Sequence, residues 1–317
     1  MSEKLRHLKQ AGQGAFVDRH TTRAKSLLHP YEKGVKSKYG LVGLPLSKTS
    51  ISHSGASFAP AAIREALQSY TVYSGEAKVD LEEKIVDFGD VYLSPTNLIE
   101  NQHSLYEALV DVFQTDTAEN YFLLGGDHSV SYSAMKAYKE VFGDIGVIQF
   151  DAHHDLRNTE DGGPTNGTPF RRLLTEGILP GENLVQVGIR DFTNAKAYDQ
   201  YAEDQGVAVY TMADVRQDGI EQILSKEVER LAGKVQAIYI SLDMDVLDQA
   251  FAPGCPAIGP GGMDTDTLFE GLSLLGGHDM VQAMDIVEID PTIDFRNMTS
   301  RVAAYSLLQF MKAKGMR

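Results

Sequence analysis

The stretch IGVIQFDAHHDLR (145–157) decides how this chain is read. A continuous Ile/Val/Phe run reads as a strand covered on both faces. It passes directly into Asp151, His153, His154 and Asp155. Carboxylates at the end of a buried strand are unfavourable unless something positive meets them. If the backbone stays extended, Asp151, His153 and Asp155 project to one side, and Ala152 and His154 to the other.

Similar runs recur along the chain. YGLVGL (39–44), IVDFG (85–89), NYFLLGG (120–126), NLVQVGI (183–189), VAVY (207–210), QAIYISLD (236–243) and QAMDIVEID (282–290) all read as strands. Helical spacing of apolar residues falls between them, over 59–70, 104–114, 131–143, 170–177, 220–233, 266–277 and 300–314. Pro60 sits near the start of the first, where proline is tolerated, and several of the others end at glycine. Alternation of this kind implies parallel βαβ units. The expected fold is α/β, three-layer α/β/α, around a mostly parallel sheet of about eight strands. With no repeat and no linker, residues 39–317 read as one catalytic domain, preceded by a polar arm over 1–38.

The bulk composition narrows the class. The chain has 317 residues, 43% of them hydrophobic, enough for a large core. A net charge of -15 and a pI near 5.0 speak against nucleic acid or an anionic membrane as partner. Cys255 is the single cysteine, so no intrachain disulfide forms and a reducing compartment fits. Its Pro-Gly-Cys-Pro setting reads as a turn and the thiol as structural rather than nucleophilic. MSEKLRHLKQ lacks the apolar core of a signal peptide, and no apolar run approaches the ~18 residues of a membrane span. A cytoplasmic protein is expected.

Three strand ends carry the chemistry. LLGGDHS (123–129) places His128 just past a strand, and SLDMDVLD (241–248) sets Asp243 and Asp245 two residues apart. In open parallel sheets ligands bind beyond the carboxyl ends of the strands. His128, Asp151, His153, Asp155, Asp243 and Asp245 therefore aim at one crevice. Four carboxylates there would repel one another and take up protons, whereas two divalent cations cancel their charge. A donor set of carboxylates and imidazoles without thiolate suits Mn²⁺ or another hard dication. Six side chains are too many for one ion with open positions but suit a pair, which lowers the pKa of water and supplies a hydroxide nucleophile.

At this point the motifs carry a resemblance. GGDHS, DAHHD and SLDMDVLD, in that order, resemble the three signatures of the ureohydrolase family, which includes arginases and agmatinases. The similarity extends over roughly 39–314, with GASFAPAAIREAL and VEIDP among the matching stretches. It implies a binuclear Mn²⁺ centre, two ions per subunit, hydrolysis of a C–N bond in an amidine or guanidine, and a homo-oligomer. By position, it implies His128, Asp151, Asp155 and Asp243 on one ion. Asp151, His153, Asp243 and Asp245 would hold the other, with Asp151 and Asp243 bridging and Asp155 orienting the hydroxide. Glu288 matches the acidic residue that pairs with the cationic group of the substrate. Asp127 and His154 match positions that are not ligands; His154 reads as packing and Asp127 as a support to the ligands.

The substrate reading turns on GGPTNGTPFRRL (162–173). Arginases and agmatinases carry a His-Gly pair there, whereas Asn166 precedes Gly167 in this chain. An amide cannot act as a general acid near neutral pH. The pattern resembles that of the formimidoylglutamase branch, implying hydrolysis of N-formimidoyl-L-glutamate to L-glutamate and formamide in histidine degradation. Such a substrate has a cationic amidine and two carboxylates, so arginines are expected around the site. Arg157, Arg190 and Arg296 are the candidates, with Asn166 and Asn194 as further donors. Another guanidino or amidino substrate is the alternative, and a non-catalytic binding module a third. The Gly/Pro-rich stretches 162–169 and 252–263 are expected to rim the site.

Overall fold

The computed structural model describes residues 18–316 apart from His53 and Pro95, so residues 1–17 of the expected arm lie outside the described residues. Its strands, in chain order, are β1 (Leu28–Pro30), β2 (Ser37–Leu44), β3 (Tyr73–Ser74), β4 (Val79–Asp80), β5 (Ile85–Asp90), β6 (Ala118–Gly125), β7 (Ile145–Phe150), β8 (Leu184–Ile189), β9 (Ala208–Thr211), β10 (Ala237–Asp243) and β11 (Val281–Val287). Nine of them form one sheet in the order β1-β5-β2-β6-β11-β10-β7-β8-β9. Every pairing within it is parallel. β3 and β4 make a separate antiparallel hairpin.

All eight expected strands are present. The ninth, β1, comes from the expected polar arm and pairs with β5 at the sheet edge. Pro30 is tolerated there because an edge strand needs no N–H on its open side. Ala24 and Leu27, just upstream, are buried in the core. The apolar content of this segment was too short to show a period.

Successive strand residues face opposite layers, as a pleated backbone requires. Leu41, Phe122, Ile148 and Ile240 enter one apolar cluster, and their neighbours Val42, Leu123, Val147 and Tyr239 enter the other. Both faces are thus covered by helices, which explains why the strands read as continuous apolar runs. The seven expected helices all form. The second starts at Leu98 rather than near 104, because Asn97 accepts the Glu100 N–H and caps a polar first turn. Two further helices, Lys196–Asp204 and Met212–Asp218, escaped the periodicity reading. The first buries only Ala202, and the second is short and set by a capping box between Thr211 and Asp214. Among the described residues no helix is long and apolar enough to cross a membrane.

The four central strands, β6, β11, β10 and β7, carry the chemistry at their carboxyl ends. Register pairs Leu242 with Phe150, Asp243 with Val287, and Ile286 with Leu124. Asp151, Asp243 and Glu288 therefore emerge within about one residue of the same level, on strands ~4.8 Å apart. Gly126 permits the loop after β6 to close in. A Cβ there would collide with the Leu46 carbonyl, which instead accepts the Asp127 N–H at 2.7 Å.

Candidate metal centre

β7 ends at Phe150, so DAHHD lies beyond the strand and not along it. The expected alternation is reached by another route. Asp155 adopts a left-handed backbone (φ 52°), which returns its carboxylate toward Asp151. Glu288 does the same (φ 59°) directly after β11. Non-glycine residues in this region are strained, and such strain gathers at functional sites. Asp243 is the last residue of β10, and Asp245 follows in a tight turn over Met244–Val246.

Two ligand sets result. One oxygen or nitrogen from each of His128, Asp151, Asp155 and Asp243 lies within 4.8 Å of the others, and so do those of Asp151, His153 and Asp245. Around His128 Nδ1, carboxylate oxygens of Asp155, Asp243 and Asp151 stand at 2.8, 3.1 and 3.2 Å. In the second set His153 Nδ1 is 2.9 Å from Asp245 and 3.5 Å from Asp151. Asp151 belongs to both sets. Asp243 belongs to the first, and its Oδ1 accepts the Asp245 N–H at 2.8 Å, which ties it to a member of the second.

The donor set fits a metal pair. His128 is fully buried, and among the described residues its Nδ1 makes no hydrogen bond of proper geometry despite three carboxylates around it. Its other nitrogen meets Ser241 Oγ at 3.0 Å, and Ser241 in turn donates to Asp285 at 2.9 Å. Phe170 packs edge-on against the ring at 5.5 Å. The ring is held with one nitrogen aimed at the carboxylates, as a metal-ligating histidine requires. The carboxylates register their crowding. Burial, and then the charges of Asp245 and Asp151, push Asp243 well above the usual range. Burial and the Asp151 charge push Asp155 up to about 6. Burial also acts on Asp151, but the adjacent His128 and His153 imidazoles outweigh it and leave that group below the usual range.

Glu288 borders the same cleft. Its Oε1 accepts the backbone N–H of His128 at 2.8 Å and the Asn166 amide at 3.0 Å, while Oε2 is buried with no hydrogen-bond partner among the described residues. Burial and the charge of Asp127 push its carboxyl up to about 8. Asn166 also ties down the loop across the cleft, accepting the Ile51 N–H at 3.0 Å and donating its own N–H to Thr49. Asp127 stands outside both sets; Thr49 and Ser129 hydrogen-bond its carboxylate.

The arginines part company. Arg157 lines the cleft with its side chain laid along the Gly167 backbone, where a Cβ would come within 2.7 Å of Cδ. Arg190 does not reach the cleft. Its Nη2 donates to the carbonyls of Asp245 and Leu247, steadying the ligand turn. Arg296 is exposed in a left-handed turn before the helix Met298–Gly315, away from the cleft lining. Asn194 does line it, with its Oδ1 accepting the His154 N–H at 3.0 Å. Of the two rim stretches, Asn166 and Gly167 from the first and Ala257 from the second border the cleft. Cys255 is buried, in keeping with a structural thiol. Sequence reasoning passed over Ser241, Asp285, Gln149 and Gln186, all buried polar residues inside strands. A polar residue inside an apolar run was the available signal.

A parallel α/β sheet with this acidic and imidazole cage at its central strand ends defines an arginase-family hydrolase. Residues 37–312 match the arginase family, and the chain belongs to it. It is 53% identical over 300 residues to the formimidoylglutamase of Halalkalibacterium halodurans, covering 94% of each chain. It superposes on the crystal structure of formimidoylglutamase from Bacillus subtilis with a TM-score of 0.93 and 45% identity, over 97% of this chain and 96% of that one. The structure of Trypanosoma cruzi formiminoglutamase with Mn²⁺ matches with a TM-score of 0.85 and 27% identity, covering 94% and 99%.

Proposed function

We propose that this chain hydrolyses N-formimidoyl-L-glutamate to L-glutamate and formamide, with two Mn²⁺ ions per subunit. The observation that carries the reading is the polarity of the cleft. Its lining combines the carboxylate cage and Glu288, whose Oε2 has no hydrogen-bond partner among the described residues, with the cationic Arg157. A substrate with an amidinium at one end and carboxylates at the other fits that layout, and relatives of matching name support it. Residues 39–317 form the catalytic domain, with β1 added at the edge of its sheet.

His128, Asp151, Asp155 and Asp243 would hold one ion, and Asp151, His153 and Asp245 the other, with Asp243 as the second bridging carboxylate. The ions supply Lewis acidity and lower the pKa of water toward neutrality. Glu288 Oε2 binds the formimidoyl nitrogens and turns the formimidoyl carbon toward the cage. Asn166 keeps the Glu288 carboxylate in place and cannot itself deliver a proton. The Asp155 carboxylate takes the proton of the attacking water and returns it to the leaving α-amino nitrogen of glutamate. The Arg157 guanidinium binds a substrate carboxylate.

The test is product formation by Mn²⁺-reconstituted protein, with arginine, agmatine and 4-guanidinobutyrate assayed beside N-formimidoyl-L-glutamate. Formamide and glutamate from the last alone are expected. Urea from any of the guanidines at a greater kcat/KM would overturn the substrate assignment.

A further inference from the structure

Asp151 is common to both ligand sets, so its orientation bears on both metal positions. Its Oδ1 accepts the His153 N–H at 2.6 Å, and its Oδ2 accepts the Gln149 amide at 2.7 Å. Gln149 lies on β7 without solvent exposure, and the register sets Gln186 of β8 directly beside it. Gln149 Oε1 accepts the Gln186 amide at 2.7 Å, and that amide also donates to the His154 carbonyl at 2.8 Å. Gln186 Oε1 stands 2.7 Å from His154 Nδ1.

These contacts have one consistent direction. An ionised carboxylate only accepts, so Gln149 must turn its NH₂ toward Asp151 and its carbonyl toward Gln186. Gln186 must then donate to Gln149, which leaves its carbonyl for a donor on His154. The imidazole is thereby required to carry a proton on Nδ1. Buried polar groups without partners are unfavourable, so reversing any member would leave at least one contact unmade. The chain ends at the cleft wall, where Asn194 accepts the backbone N–H of His154 and Asp199 lies 3.6 Å from the ring Nε2.

We propose that Gln149, Gln186 and His154 are positioning residues. They form a buried, polarised chain that holds the Asp151 carboxylate in the orientation in which it serves both metal positions. On this account the second histidine of DAHHD is more than packing, since its Nδ1 proton terminates the chain. The inference rests on the two-metal reading above.

The test is Mn²⁺ binding by the chelated full chain, followed by isothermal calorimetry and by the electron paramagnetic resonance signal of the coupled pair. Wild type is compared with Gln149→Met, His154→Asn and His154→Leu. Losing the donor in Gln149→Met should weaken Mn²⁺ binding by roughly 10- to 100-fold, the usual effect of removing a group that orients a ligand. His154→Asn keeps an N–H near the Nδ1 position and should retain the wild-type affinity and coupled signal. His154→Leu should lose both in part, and a loss confined to general stability would not separate the two His154 variants. Wild-type affinity in Gln149→Met, or equal behaviour of the two His154 variants, would overturn the inference alone. Should Gln149→Met fail to fold, the His154 pair decides. Fewer than two ions bound by wild type would overturn the two-metal reading and this inference with it.

Discussion

Replacing Glu288 by Gln preserves the side-chain shape and removes its charge at a position only 3% exposed. Burial and the neighbouring Asp127 raise the Glu288 carboxyl from 4.5 to about 8. At about 1.36 kcal/mol per tenfold change in proton affinity, ionising it opposes folding of the chelated chain by roughly 5 kcal/mol at most. The sign follows from proton counts. The unfolded carboxyl loses its proton near its ordinary value, whereas the folded one keeps it until about 8. Between these limits the folded chain binds more protons, so this group's contribution makes stability fall as pH rises. The Glu288→Gln variant would lack that slope. Urea denaturation of both chelated proteins, from about pH 5 to about pH 9, isolates the effect as a difference, because the remaining groups largely cancel. The wild type should lose up to roughly 5 kcal/mol relative to Glu288→Gln across the window. A difference that does not change with pH would refute the reasoning. In the Mn²⁺-loaded enzyme the same substitution removes the buried carboxylate proposed to pair with the amidinium. That is worth about 2–5 kcal/mol, so kcat/KM should fall by roughly 30- to several-thousand-fold.

Other substitutions probe separate parts of the site. Asp155→Asn removes the proposed proton acceptor while keeping the side-chain shape, and turnover should fall about 100- to 10,000-fold at saturating Mn²⁺ with the circular dichroism spectrum unchanged. Gly167→Ala places a Cβ within 2.7 Å of Arg157 Cδ and should displace the guanidinium. KM should rise about tenfold with the melting temperature nearly unchanged, since one charged hydrogen bond is worth ~1.5–3 kcal/mol; an unchanged KM would remove Arg157 from the substrate contacts. Gly126→Ala forces a Cβ into the Leu46 carbonyl. The loop that carries Asp127 and His128 must move, and both thermal stability and Mn²⁺ affinity should drop; a wild-type melting curve would contradict the close approach.

Much of the site was legible because its signals are local. Apolar runs marked the eight strands, and the acidic and imidazole residues at their ends marked the side chains that gather into the two candidate ligand sets. Arg157 and Arg190 show where local reading stops. Both follow strand-end motifs, yet Arg157 borders the cleft and Arg190 braces the Asp245 turn. Nothing within either motif distinguishes them, because the difference lies in which neighbouring strand each loop meets. The edge strand β1 escaped for a related reason: its three residues gain their structure from pairing with β5.

The sequence by itself determined the alternation of strands and helices, the six ligand-type residues and the family, since residue chemistry and spacing travel along the chain. Tertiary structure alone decided the strand order that sets Gln149 beside Gln186. It also decided the left-handed turns at Asp155 and Glu288 that bring separate loops to one cage. Parallel strands obtain their partners through crossovers, and a strained backbone persists only where surrounding packing holds it. Both are properties of contacts between distant segments.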